Sequence, residues 1–131
     1  MLVARDANCQ NWNQVRTEIQ QSVQPGRLPP LVVACPDPYI EKWYMADPES
    51  FARAVGAGPR LLRRKCQPAR YKDVLRQAIR SGGHIPTLGG VEFAREIIQA
   101  MDLYRAGQNE PSLRAFLNDC KDQIRRILAS G

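Results

Sequence analysis

The stretch LVVACPDPYIEKWYMADP, residues 31–48, decides the fold. Its apolar opening, 31–35, has the length and β-branched content of a buried strand. Pro36-Asp37-Pro38 stops the run, because two prolines remove backbone donors and force a turn. Residues 39–45 set Tyr39, Ile40, Trp43, Tyr44 and Met45 around one carboxylate, Glu41, and one ammonium, Lys42. Asp47-Pro48-Glu49 then predicts a helix start, with a cap, a proline at the first helical position and an acid in the first turn. An acid just past the C-terminal end of a strand, as Glu41 is here, lies where α/β folds gather their chemistry.

On the N-terminal side, Leu2-Val3-Ala4 reads as a short strand, followed by Asp6-Ala7-Asn8. Trp12, Val15, Ile19 and Val23 recur at spacings of three and four, which predicts an amphipathic helix over 11–23 that Pro25-Gly26 ends. Strand, helix and strand at this length predict a right-handed crossover between two parallel strands. On the C-terminal side, helices are expected over 48–55, 69–81, 91–104 and 111–128. The second faces inward through Tyr71, Val74, Leu75, Ala78 and Ile79, and the third through Phe93, Ala94, Ile97, Ile98 and Met101. The last is expected to bury Leu113, Phe116, Leu117, Cys120, Ile124, Ile127 and Leu128. The fold class is therefore α/β, helix-rich, with a small parallel sheet. Two strands make a poor sheet alone. A second copy of the chain, a partner protein or an N-terminal half lying before Met1 would complete it.

Composition places the 131 residues in a single domain, with 44% hydrophobic and 24% charged residues arguing against disorder. A core-like 1–58 and a basic helical 59–131 divide it. No apolar run reaches the roughly 20 residues of a membrane span, and the N-terminus lacks a signal-peptide pattern, so a cytoplasmic protein without membrane contact is expected. Cys9, Cys35, Cys66 and Cys120 contain no C-x-x-C pair and read as reduced thiols, mostly in the core. His84 is the only histidine, which weighs against a His-based metal site.

The net charge of +6 is unevenly placed. Between residues 53 and 80 stand Arg53, Arg60, Arg63, Arg64, Lys65, Arg70, Lys72, Arg76 and Arg80, against Asp73 as the single acid. Such a block holds phosphates by Coulomb attraction and counterion release, or it is a solvated surface that aids solubility.

The order of strand, Asp6-Ala7-Asn8, helix, strand and then Glu41-Lys42-Trp43-Tyr44-Met45-Ala46-Asp47 resembles the second half of TOPRIM-like proteins. The likeness is to a defence-associated TOPRIM-like family related to the overcoming-lysogenization-defect nucleases. That family has an acid-x-acid motif after a central strand and a Glu-x-Trp-Leu-Leu-Ala-Asp-like segment after the next. Its tail order is matched by Tyr71-Lys72, Gly82-Gly83, the 94–97 segment and the 116–120 segment. The resemblance implies metal-dependent phosphoryl transfer, with Asp6, Asn8 and Glu41 near a Mg²⁺ site. The basic block in turn predicts that Arg60, Arg63, Arg64, Lys65, Arg70, Lys72 and Arg76 contact nucleic acid. Asn8 departs from the pattern by standing where a second acid belongs, and the family's first glutamate would lie before Met1.

Each candidate has a plainer reading. Asp6 can be a turn residue, Glu41 an exposed acid paired with a base, and Lys72 a solvated lysine. Tyr39 and Trp43 can stack on a base or anchor a core. Asp47 reads as a helix cap, and Gly82-Gly83 and Gly89-Gly90 as helix punctuation. The function expected is a nucleic-acid-associated, TOPRIM-like protein, a degenerate Mg²⁺-dependent nuclease with Asp6 and Glu41 catalytic. The alternative is a non-catalytic interaction module that completes its sheet as a homo-oligomer or with a partner.

Overall fold

A computed structural model describes residues 1–23, 31–60 and 66–130. The chain is helix-rich α/β with one small parallel sheet. β1 (Leu2–Ala4) pairs in parallel with β2 (Val32–Ala34), setting Leu2 beside Val32, Val3 beside Val33 and Ala4 beside Ala34. Between them lies α1 (Trp12–Ser22), whose first turn is capped by the Asn11 side chain accepting the N–H groups of Asn13 and Gln14 at 3.1 Å each. After β2 come α2 (Ile40–Tyr44), α3 (Pro48–Val55) and α4 (Pro68–Ser81), then α5 (Ala94–Ala100), α6 (Leu103–Asn109) and α7 (Pro111–Ser130). No described helix is long and apolar enough to cross a membrane.

Alternation along β2 sorts its side chains onto two faces. Val33 and Cys35 pack with Val15 of α1 and with Ala7. Ala34 packs the other way, with Trp43 of α2, Ala106 of α6 and Leu113 of α7. Trp43 stacks on Phe116 at 5.5 Å between ring centroids, and its indole N–H donates to the Ser112 hydroxyl at 2.9 Å. Trp43 is thus a core anchor. A third cluster joins α3, α4 and α5 through Phe51, Val55, Leu75, Ala78, Ile79 and Ile97.

The C-terminal ends of α3 and α4 abut. Gly56, at φ +99°, closes α3 by donating its N–H to Ala52. Gly82 follows α4, and a Cβ there would overlap the Val55 carbonyl oxygen. His84, expected as a plain loop residue, brings its Nε2 to 2.9 Å from the Val55 carbonyl and its ring against Phe93.

Five expectations are corrected. The helix over 91–104 is broken into a short 3-10 turn (Val91–Phe93), α5 and α6. Met101 is extended, and Asp102 caps α6 by accepting the Arg105 N–H at 3.0 Å. The Asp102 N–H is itself drawn off to Asp47 at 3.0 Å, so a continuous helix would lose both bonds. Ile98, placed inward, is half exposed. In α7, Leu113 is buried and Phe116 packs on Trp43, but Ile124, Ile127 and Leu128 are 56%, 63% and 75% exposed. A sheet of two strands is too narrow to cover a helix of this length. Asp47 does sit at the cap position of α3, but its carboxylate turns to Arg105 and to the Asp102 N–H. Finally, Cys9 and Cys66 are not reduced thiols but a disulfide across 57 residues, while Cys35 is buried and Cys120 half-buried.

The Asp47 carboxyl is held well below the ordinary carboxylate range. Burial alone would raise it, but the Arg105 guanidinium, Ser50 and the Asp102 N–H outweigh that. A carboxylate depressed by folding stabilises the native state above its ordinary pKa of 3.8, and the contribution is lost as pH falls below that value. Asp47→Asn is therefore expected to unfold at lower denaturant concentration at pH 7 and to flatten the decline of stability below about pH 4. Urea titrations across pH measure both. Gly82→Ala is expected to destabilise by about 1–3 kcal/mol, the range of overpacking, read from the shift in urea midpoint.

Candidate functional site

Backbone pairing runs on past the two formal strands, and this builds the site. The N–H groups of Arg5, Ala7 and Asn8 donate to the carbonyls of Ala34, Pro36 and Pro38 at 2.9, 2.8 and 3.1 Å. Residues 5–8 are thereby laid alongside 34–38, and Asp6 arrives beside the start of α2. Its Oδ1 accepts the Ile40 N–H at 3.0 Å. Tyr39 precedes α2 without a side-chain cap, so Asp6 supplies that acceptor from a different segment. Glu41, one residue on, is buried at 9% exposure rather than the exposed acid of the plainer reading.

Arg5, Asp6, Asn8, Tyr39, Glu41, Pro68 and Lys72 line one cleft of about 400 Å³. Glu41 and Lys72 also line an adjoining hollow of about 420 Å³ with Leu75, Arg76, Leu88, Gly89 and Val91. The two hollows meet at the Glu41 and Lys72 side chains. Lys72, Arg76 and Arg80 recur every four residues on α4, so they form one row along the helix. Arg76 is shared with Asp73 at 3.2 Å.

The expected ligand set Asp6, Asn8 and Glu41 is brought together, and so are Lys72 and Arg76. Arg60 is not. It lines a separate hollow of about 350 Å³ with Lys42, Tyr71, Asn109 and Glu110. Arg70 is exposed in the first turn of α4, and Arg63, Arg64 and Lys65 lie outside the described residues. Arg5 was passed over in the sequence, although it neighbours Asp6 and lines the same cleft. The Lys42 to Glu110 ion pair at 3.1 Å was also not foreseen. Burial pushes the Glu110 carboxyl up, and Lys42 opposes this.

The Asp6 carboxyl is raised above its ordinary 3.8. Burial is the largest cause; the Ile40 N–H opposes it, the Glu41 charge adds to it, and Lys72 opposes it. Two acids close enough to repel each other, beside an amide, make a set of hard oxygen donors. One Asp6 oxygen is already engaged, and no three His, Cys, Asp or Glu side chains among the described residues converge on a metal position. Donors of this kind suit a Mg²⁺ ion only where water completes most of its shell, and they are too few for a cage made of protein alone.

The order of influences on Asp6 is open to measurement. By carboxyl ¹³C shifts, Asp6 is expected to titrate above 3.8, to move down in Glu41→Gln and to move further up in Lys72→Met. An Asp6 that ignores both changes would separate the three side chains. No family model, curated protein or solved structure matches the chain.

Proposed function

We propose that the chain binds the phosphate backbone of a nucleic acid in this cleft, with Asp6 and Glu41 as carboxylates for a Mg²⁺ ion. The observation that carries the reading is convergence. Arg5, Asp6 and Asn8 from the end of β1, Glu41 from α2 and Lys72 from α4 line a single opening. Arg5 offers a planar fork for phosphate oxygens and Lys72 a point charge. The row of Lys72, Arg76 and Arg80 extends the positive track along α4. Tyr39 also borders this opening, though its ring is buried against Tyr71. Mg²⁺, when bound, would neutralise phosphate charge at the two acids. The TOPRIM-like resemblance favours the same assignment, with Asn8 in place of the second acid. Two carboxylates support holding a substrate phosphate better than they support fast cleavage.

A second reading, a non-catalytic module that joins a partner or a second copy, is favoured by a different observation. Ile124, Ile127 and Leu128 are exposed on α7, and β1 has no strand on its outer edge among the described residues.

Anisotropy of a labelled single-stranded DNA, measured across salt with and without Mg²⁺, tests the first reading. Lys72→Ala and Arg76→Ala are expected to weaken binding and to reduce the salt slope by about 1 each. Asp6→Asn, which keeps an acceptor for the Ile40 N–H, and Glu41→Gln are expected to abolish the Mg²⁺ effect. DNA binding absent at low salt, in a sample whose solution mass is that of a dimer, would favour the second reading instead.

A further inference from the structure

The Cys9–Cys66 disulfide joins the residue after Asn8 to the segment just before Pro68, and Asn8 and Pro68 both line this cleft. The two Cα atoms lie 5.5 Å apart. The two sulfurs have different surroundings. Cys66 is exposed, as are Gln67, Pro68, Ala69 and Arg70, and Tyr71 is the first buried residue of α4. Cys9 is half-buried, and its sulfur lies 3.9 Å from the Tyr39 hydroxyl. A disulfide sulfur carries no proton, so the Tyr39 O–H is the donor.

The two ends of the bond are also anchored differently. The loop at Cys9 is held by the Ala7 and Asn8 N–H groups on Pro36 and Pro38, and by Asp6 on Ile40. Asn8 and Cys9 both adopt left-handed backbone, at φ +54° and +67°. Non-glycine residues hold that geometry when their surroundings impose it. Residues 66–70 have no buried side chain, and the disulfide is their covalent tie to the other wall of the cleft.

We propose that Cys9–Cys66 is a redox-modification site at which a low-molecular-weight thiol, such as glutathione, opens the cleft. The attacking thiolate forms a bond to the accessible Cys66 sulfur. The Cys9–Cys66 bond breaks, and its electron pair leaves on Cys9 as a thiolate. Tyr39 hydrogen-bonds that thiolate, which then takes a proton from water. A second thiol displaces Cys66 from the mixed disulfide, so two thiols are oxidised to one disulfide while the protein bond becomes two thiols. The outer sulfur is the one attacked because access selects it, and a stabilised leaving thiolate speeds the step. Pro68, which lines the cleft with Arg5, Asp6 and Asn8, is then released with the first turn of α4. Residues 5–8 stay in place on their backbone bonds. The effect on ligand binding rests on the phosphate reading of the cleft; the thiol exchange does not.

Brief exposure of the full chain to glutathione, a quench with N-ethylmaleimide and peptide mass mapping test the chemistry. Glutathione is expected on Cys66 and maleimide on Cys9, with Tyr39→Phe slowing the exchange. Hydrogen exchange of amides 69–73 is expected to rise on full reduction, and to rise without reductant in Cys9→Ser and in Cys66→Ser. Glutathione on Cys9, or exchange at 69–73 unchanged in all three samples, overturns the proposal. Single-stranded DNA affinity is then compared between redox forms. Equal affinity in both overturns control of the cleft. Raised exchange with no DNA binding in either form leaves the modification site standing and removes the phosphate reading.

Discussion

A carboxylate removed from water must be met by donors, and the Asp47 carboxylate, with no side-chain exposure, is met from the far end of the chain. Arg105 Nε donates to Oδ1 at 2.8 Å, and a terminal guanidinium nitrogen and the Asp102 N–H donate to Oδ2 at 3.1 and 3.0 Å. The start of α3 is thereby fastened to the start of α6. The break between α5 and α6 follows, because the Asp102 N–H is committed to Asp47 and the Asp102 side chain to the Arg105 N–H. With α6 fixed, Ala106 reaches the cluster around Trp43, and the Asn109 amide donates to the Ala46 carbonyl at 2.9 Å. The chain then turns into α7, which covers one face of β2. A two-stranded sheet cannot supply this order itself, so an ion pair between the buried Asp47 and the half-buried Arg105 supplies part of it.

The cleft depends on a different constraint. Parallel pairing that continues beyond the strands carries Asp6 past the sheet to a helix with no cap of its own. The same bond that caps the start of α2 places Asp6 beside Glu41; burial is the main cause of the raised Asp6 carboxyl, and the Glu41 charge adds to it. A structural role and a chemical one therefore share one side chain. Lys72 enters from α4, whose position is set by Tyr71, Leu75 and Ile79 in the core and by the edge contact of Tyr71 with Tyr39 at 5.7 Å.

Much of this was legible in the chain. The apolar run at 31–35, the two prolines after it and the spacing of Tyr71, Val74, Leu75, Ala78 and Ile79 are local signals, and the elements they predict are present. Asp6, Asn8 and Glu41 were grouped by the TOPRIM-like resemblance, and parallel pairing does bring them to one cleft. Period and turn chemistry act within a few residues, so sequence by itself determined the two strands, their parallel order and the helices α1, α3, α4 and α7, but not α2 or the break between α5 and α6. It did not determine the faces of the last helices. Ile98, Ile124, Ile127 and Leu128 obey a helical period yet lie exposed, because periodicity states which residues share a face and not whether anything covers it.

What tertiary structure alone decided are the meetings between distant segments: Asp47 with Arg105, Lys42 with Glu110, Lys72 with the acids, and Cys9 with Cys66. Each is a charge or a thiol with several possible partners along the chain, and nothing in its immediate neighbours selects among them. The choice is made when burial removes water, because an unpaired charge then costs more than the order needed to pair it.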